Sequence, residues 1–328
     1  MTALQSREVR HAQYLMGTIV EITAEVAGDE SAALALTRQA MAEFERLERM
    51  LSRHDPGSEL SRVNRRASYD SVGVSAECCS IISRGLEYSA QSGGCFSVTL
   101  APLVKLWDGC LAARRWPDRE EVEMALALSD YRLVEVDPVA DVIHFNSPGV
   151  ALDLGGFAKG YAVDRAAAML RRRGEKYGIT RATINAGTSS FAAIDLAGGG
   201  EVARIGLRNP ADRRRLVGVL SITGQSLSTS GTGESGHNLA GRFLSHLIDP
   251  RTGYTVERLA SATAVCASAA RAEVVSKMLL LLGCEPGLAA CDAQGWDVEG
   301  VTAEACVNDR GLRLNYSDAL GFETLENL

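Results

Sequence analysis

Apolar residues along this chain follow two periodicities. Residues 30–50 set Met41, Phe44, Leu47 and, just beyond, Leu51 at helical spacing with charges between them. That spacing predicts an amphipathic helix with one face in a core. Residues 157–173 and 269–282 predict two more helices. The first ends in Arg171, Arg172 and Arg173, then Gly174, as a helix C-terminus favours. Those arginines are expected to be surface charges that match the dipole. The second carries Val274, Val275, Met278, Leu279 and Leu282. Residues 74–92, closed by Gly93-Gly94, and 120–128 predict further helices. Strands are expected over 15–24 with Met16-Gly17 at its start, over 131–136 and 142–145 as a pair about Asp137-Pro138, over 183–185 and 191–195 framing a glycine turn, and over 204–207 and 216–222. Asp55-Pro56-Gly57-Ser58 predicts a turn. The tail from Asn315 is weakly patterned and is expected only to dock on the surface. Strands and helices mix without regular βαβ alternation, so the expected fold class is α+β.

The 328 residues suffice for one large domain or two lobes with a substantial core. An apolar fraction of 46% with 23% charged residues excludes disordered and membrane classes. A formal net charge of −7 argues against broad nucleic-acid binding. Residues 1–11 are polar and mixed, without an apolar run of signal-peptide length, and no lipid-attachment cysteine stands near the start. A cytoplasmic protein is therefore expected. The cysteines at 78, 79, 95, 110, 266, 284, 291 and 306 form no CxxC pair, and no histidine pair has zinc spacing. They are expected to be buried, reduced thiols.

Candidate chemistry begins at the junction Ala151-Leu152-Asp153-Leu154-Gly155-Gly156-Phe157-Ala158-Lys159-Gly160-Tyr161-Ala162-Val163-Asp164. An apolar strand runs into a carboxylate, a glycine pair, and a helix with a lysine in its first turn. Gly155 and Gly156 would let a ligand approach the backbone. The helix start offers N–H groups and a positive dipole end to an anion. Lys159 adds a mobile charge, and Asp153 can orient a donor or hold a cation. The pattern suits a phosphate-bearing ligand; the alternative is a tight turn with a surface lysine. Residues 225–237 are rich in Ser, Thr and Gly, either to wrap phosphate oxygens or as a solvated loop. His246 lies three residues before Asp249, and a histidine there can move a proton near neutral pH. Asp249-Pro250-Arg251-Thr252-Gly253 is a rigid turn that its aspartate can cap.

These segments occur with others in a fixed order: Met16-Gly17-Thr18, Ser58-Glu59-Leu60-Ser61-Arg62-Val63-Asn64, Phe96-Ser97-Val98-Thr99, Asn185-Ala186-Gly187, Thr229-Ser230-Gly231, His246 to Gly253, and Leu282-Gly283. In that order the chain resembles the ApbE family, the flavin transferases, from about Tyr14 to Gly300. The resemblance implies one ApbE-like domain over 1–328, of two α+β lobes with a nucleotide-binding cleft between them and no internal boundary legible in the sequence. It implies FAD as ligand, cleavage of its pyrophosphate with a divalent metal, usually magnesium, and transfer of FMN to a Thr or Ser hydroxyl of a target flavoprotein with release of AMP. It further implies Met16, Asp153, Gly155, Gly156, Ala158, Lys159, Asn185, Gly187, Thr229, Ser230, Gly231, His246 and Asp249 as nucleotide contacts. His246 and Lys159 are its implied catalytic residues, and Lys277, at a position where this chain departs from the family, is the third catalytic candidate.

Many members of that family are exported and lipid-anchored, and this chain is expected to depart from them. The family's metal is held by a backbone carbonyl at the position of Ala158 and by an Asp and a Thr one helical turn apart. Counting back from Leu282-Gly283, those two positions hold Glu273 and Lys277. Glu273 can coordinate magnesium; a protonated Lys277 cannot. Either the two form an i,i+4 pair on a surface helix, or Lys277 takes the place of the cation with Glu273 holding it. Ser97, Thr188 and Thr232-Gly233-Glu234 also depart from the family's usual Asp, Gly-Gly and aromatic positions. The chain is therefore expected to be a flavin transferase. The alternative is a divergent FAD- or nucleotide-binding protein, or a metal-independent enzyme, in which Lys277 replaces magnesium.

Overall fold

A computed structural model describes residues 7–187, 189–200, 202–233, 236–239, 241–256, 260–305, 312–317 and 320–325. The chain divides into two compact units, neither continuous in sequence: residues 1–48, 157–230 and 261–328 in the first, 49–156 and 231–260 in the second. An interleaved division leaves no single compositional break, which is why no boundary was legible.

The first unit is built on an eight-stranded sheet in the order Arg7–Leu15, Thr18–Val26, Ile179–Ala186, Ser190–Asp195, Ser226–Gly231, Ala260–Cys266, Glu299–Ala305, Leu312–Tyr316. Alternation decides its core face: Val20, Ile22, Ala24 and Val26 are buried, and Val20 lies opposite Ala186 and Ile22 opposite Ile184 in an antiparallel ladder. The helices Ala158–Arg173 and Ala269–Leu282 pack on this sheet and on each other. The helix Glu30–Leu51 buries Ala33, Leu36, Ala40, Met41, Phe44 and Leu47, the stripe its sequence predicts.

Three expectations need correction. The strand over 15–24 is two strands, Arg7–Leu15 and Thr18–Val26, paired antiparallel through a two-residue turn. Met16 and Gly17 both have positive φ, 52° and 76°, as a hairpin turn matched to strand twist requires. The first strand was hidden because only Val9 and Leu15 in it are buried. The hydroxyl-rich segment is no solvated loop: Ser226–Gly231 is an interior strand with Ser226, Ser228 and Ser230 buried. Its partner Ser190–Asp195 and the adjoining Ser189 carbonyl engage its backbone, so those amides are not free to wrap a phosphate. As expected, Arg171 and Arg172 are exposed charges in the last turn of their helix; Arg171 donates to the Gly224 carbonyl at 3.1 Å and Arg173 to Gln39 Oε1 at 2.8 Å. The tail from Asn315 does more than dock, since Leu312–Tyr316 closes the large sheet and Phe322–Thr324 pairs with Leu216–Ile222.

The second unit holds the helices Glu59–Arg66, Ala76–Gln91, Ala101–Ala112 and Arg119–Leu128. It also holds the strands Val72–Gly73, Val134–Asp137 and Val142–Phe145, and a hairpin of Gly236–Leu239 with Arg242–Ser245. Phe96 and Trp107 are core residues here. Seven cysteines are buried and outside any disulfide; Cys306, like Thr188 and Glu234, lies outside the described residues. Burial pushes the Cys78 and Cys291 thiols up to about 12 and Cys266 up to about 11. Among the described residues no helix is long and apolar enough to cross a membrane.

Candidate active site

The polar centre of the first unit lies where two helices touch. In the Ala158–Arg173 helix, Gly160 stands against the backbone of Ala269; a Cβ there would come 2.5 Å from the Ala269 carbonyl oxygen. One turn on, Asp164 accepts from the Ser268 hydroxyl at 2.7 Å and from the Ala269 and Ala270 amides at 2.7 and 3.1 Å. It thus caps the Ala269–Leu282 helix from outside, beside that helix's own N-cap, Ser268. Burial raises the Asp164 carboxyl above its ordinary value against the pull of those three donors.

This docking brings Lys159 to Glu273: Lys159 Nζ is 3.7 Å from Glu273 Oε1. Glu273 is 2% exposed. Its Oε1 also accepts from the Ser190 hydroxyl, while its Oε2 is buried without a hydrogen-bond partner. Lys277 Nζ donates to the Glu273 backbone carbonyl at 2.9 Å. Burial pulls the Lys277 ammonium down from 10.5 to about 8, the Glu273 carboxylate opposes that, and Lys159 adds to it. Lys277 is still mostly charged at neutral pH.

Two details therefore differ from expectation. Glu273 and Lys277 do not lie on a surface helix, because ten residues of this helix, Glu273 among them, are buried. The Glu273 carboxylate is held by Lys159 and Ser190, and Lys277 is bonded to the backbone of Glu273. Nor is Lys159 a loose charge; its side chain is one-quarter exposed and tied to Glu273.

Hydroxyls surround this centre. Ser230 Oγ and Ser276 Oγ are 2.7 Å apart, and Ser276 also donates to the Glu273 carbonyl at 3.0 Å. Thr229 Oγ1 pairs with Thr263 Oγ1 at 2.8 Å. Elsewhere in the unit, the Met16 amide donates to Glu48 Oε1 at 2.9 Å. Asn185 is exposed in its strand, and the Gly187 amide donates to the Ile19 carbonyl at 2.9 Å. Gly187 has φ 72°, and a Cβ there would meet Thr18 Oγ1. Ala158 begins its helix and is buried.

The remaining candidates lie in the second unit. Asp153 accepts from the Gly155 amide at 2.9 Å and pairs with Arg53 at 3.3 Å, so its cation is an arginine of this chain. Asn64 exchanges two hydrogen bonds with the backbone of Leu152, at 2.9 and 2.7 Å, and so fixes the segment that leads to Asp153. Asp249 binds its own turn, taking the Arg251 guanidinium at 2.9 and 2.7 Å and the Arg251 amide at 2.9 Å. His246 is exposed and begins the segment that reaches this turn. The chain passes between units immediately after Gly155-Gly156 and again between Ser230 and Gly231, so two of the motifs fall at unit changes.

Lys159, Ser230, Glu273 and Lys277 are thus assembled by hydrogen bonds and ion pairs around the Glu273 turn. Sequence reasoning missed Ser190, Ser276, Gly160 and Asp164 as parts of that assembly. Gly160 and Asp164 stood in the motif, four residues apart on one helix face, a spacing that marks a contact surface. The ordinary magnesium site does not fit here. Magnesium takes about six oxygens, commonly with carboxylates among them, whereas this centre has one carboxylate and two ammoniums, and one oxygen of that carboxylate is engaged. Among the described residues no group of three or more His, Cys, Asp or Glu is placed to hold a metal.

A hydroxyl-lined centre with two lysines in an α+β frame can receive an anion. Comparison with known proteins gives that frame its family. The ApbE family matches residues 16–301, and the chain belongs to it. An FAD:protein FMN transferase of Klebsiella pneumoniae (strain 342) is 30% identical over 295 residues, 89% of each chain. The FAD:protein FMN transferase of Escherichia coli (strain K12) is 27% identical over 84% of this chain and 79% of its own. The apo flavinyl transferase ApbE of Pseudomonas stutzeri superposes with a TM-score of 0.79 at 25% identity, covering 97% of both chains. The ApbE protein of Thermotoga maritima superposes with a TM-score of 0.81 at 23% identity, covering 95% of this chain and 97% of its own.

Proposed function

We propose that this chain is an FAD:protein FMN transferase. The observation that carries the reading is the 30% identity to a transferase of that name over 89% of both chains. The Lys159–Glu273–Lys277 centre supports it as a receptor for the diphosphate. In the reaction, an acceptor Thr or Ser oxygen bonds to the phosphorus of the FMN half. The bond from that phosphorus to the bridging oxygen breaks, and AMP leaves with the bridging oxygen. The acceptor's proton must be removed, and His246 is the group we assign to it, since imidazole titrates near neutral pH. Lys159 and Lys277 stabilise charge on the diphosphate oxygens as the bond breaks. Of the first unit's residues, Met16, Asn185, Gly187, Thr229 and Ser230 are those we assign to positioning the nucleotide. The partner is a target flavoprotein. A reducing, cytoplasmic setting suits seven buried cysteines without a disulfide.

The test is incubation with FAD and a flavoprotein substrate of a known transferase, followed by mass spectrometry of the substrate and assay of AMP. Covalent FMN on a Thr or Ser with equimolar AMP is expected, and His246→Ala should slow transfer by about 10²-fold or more with FAD affinity kept. Saturable FAD binding without transfer to any acceptor hydroxyl would leave a nucleotide-binding protein instead.

A further inference from the structure

We propose that Asp164 is the positioning residue of the Lys159–Glu273 pair, and that it governs nucleotide affinity through that pair rather than by touching the nucleotide. The inference rests on the reading of this centre as the nucleotide's receptor. Its grounds are the contacts between the helices Ala158–Arg173 and Ala269–Leu282 of the first unit. One helix carries Lys159 and the other Glu273, and the two side chains stand 3.7 Å apart. An ion pair between two helices keeps its distance only if the helices keep theirs. The backbone contact at Gly160 is one point of touch. A single point is a pivot, and Glu273, one turn along from Ala269, swings when its helix rocks.

Asp164 supplies the second point. Both of its oxygens accept from the start of the facing helix: Oδ1 from the Ala269 amide, and Oδ2 from the Ser268 hydroxyl and the Ala270 amide. Two points fix an orientation that one leaves open. The sheet holds Glu273 from its own side, where Ser190 donates to Oε1. Hydrogen-bond chemistry makes the role specific to a carboxylate. The Ser268 oxygen already accepts from the Arg271 amide at 3.2 Å, and its proton goes to Asp164. Three donors therefore converge on one side chain, and two of them are backbone amides with a fixed direction. An amide side chain of the same shape has one accepting end and one donating end. Turned either way, its NH2 group faces the Ala269 or the Ala270 amide, and that backbone donor loses its partner. One oxygen would then hold the helix start where two hold it now.

The experiment measures FAD affinity of the full chain by calorimetry in wild type, Asp164→Asn, Lys159→Met and the double variant, with denaturant unfolding of each followed in parallel. Asp164→Asn should weaken binding by about threefold to thirtyfold, the range in which residues without ligand contact act. In the Lys159→Met background the same substitution should change affinity by less than about twofold, because no pair is left to position. A purely structural role gives the same proportional loss with and without Lys159. Ser268→Ala removes one of the three donors and is the milder variant; the same dependence on Lys159 is expected of it if Asp164→Asn does not fold. Where Lys159→Met binds too weakly to titrate, the cycle is closed on the unfolding constant, in which the Asp164 and Lys159 substitutions should be non-additive. Additivity there overturns the inference. Saturable wild-type binding with Asp164→Asn unchanged, or equally weakened in both backgrounds, overturns this inference alone. No saturable binding of FAD to wild type overturns the proposed function, and this inference with it.

Discussion

The two polar features that carry this chain's motifs are built in opposite ways. The Asp249–Gly253 turn of the second unit satisfies itself. The Asp249 amide donates to the Tyr254 carbonyl at 2.9 Å, and its carbonyl accepts from Thr252 and Gly253 at 3.2 and 2.9 Å. Its carboxylate takes the guanidinium two residues on, a pairing that raises the Arg251 pKa above its ordinary value. Trp107 then pins the turn, its indole N–H donating to the Gly253 carbonyl at 2.8 Å. In the Lys159–Glu273–Lys277 centre of the first unit, by contrast, one oxygen of the buried Glu273 carboxylate pairs with Lys159 and the other has no hydrogen-bond partner. Its geometry is imposed by the helices around it. A satisfied turn is what a scaffold needs. An unsatisfied centre held in place by packing is what a binding site needs, because its missing partner can be the ligand.

The largest expected effect breaks the scaffold side. Trp107 is 3% exposed and packs edge-on against Trp116 and Tyr254. Trp107→Ala should cost about 3–5 kcal/mol, read by denaturant titration. Trp107→Phe should recover most of the packing but leave the Gly253 carbonyl unmet. If Trp107→Ala costs under about 1 kcal/mol, the turn does not depend on its anchor and the contrast fails.

The next effect falls on the imposed geometry. Gly160→Ala puts a methyl where the Ala269 carbonyl oxygen and the Ala270 Cα stand, at 2.5 and 2.7 Å. Those are backbone atoms, so a whole helix must move. A destabilisation of about 2–3 kcal/mol is expected, together with weaker FAD binding as Lys159 and Glu273 separate. Stability lost with FAD affinity unchanged would show that the centre does not depend on helix contact.

The same contrast explains what the sequence disclosed. Long helices with a wide apolar stripe were legible: Ala269–Leu282 has the bounds its pattern predicts, and Glu30–Leu51 and Ala158–Arg173 differ by one residue at one end. Strands whose side chains are small were not. Ala260–Cys266 contains only Ala, Ser, Thr, Val and Cys. Ser226–Gly231 needs small hydroxyls because Ser230 meets Ser276 on the helix packed against it. The short helix Glu59–Arg66 was hidden because only Leu60, Ser61 and Val63 are buried in it. In the site, the motif residues could be named, but pairings between segments distant in the chain could not. Ser190 and Glu273 are 83 residues apart, and nothing local to either signals the other.

The smallest effect sharpens the unsatisfied side, and its sign can be worked out. Burial holds the folded Lys277 near 8, against 10.5 for an exposed lysine. Between those two values the unfolded chain holds a proton that the folded chain has released, so wild-type stability from this group rises with pH across that window. Below about 8 both states are protonated and the contribution is flat. Lys277→Met removes the titration. The stability of Lys277→Met minus that of wild type should therefore grow as pH falls from about 10.5 to about 8, then level off. Solvent that reaches this half-buried ammonium should reduce the change to about 1–2 kcal/mol. Cysteine and tyrosine titrations occur in both proteins and cancel in the difference. The measurement is a pair of denaturant titrations at each pH. A difference that stays constant from pH 7 to 10.5 would mean the ammonium is no harder to charge in the folded chain than in water, and the centre would then carry no stored repulsion for a ligand to relieve.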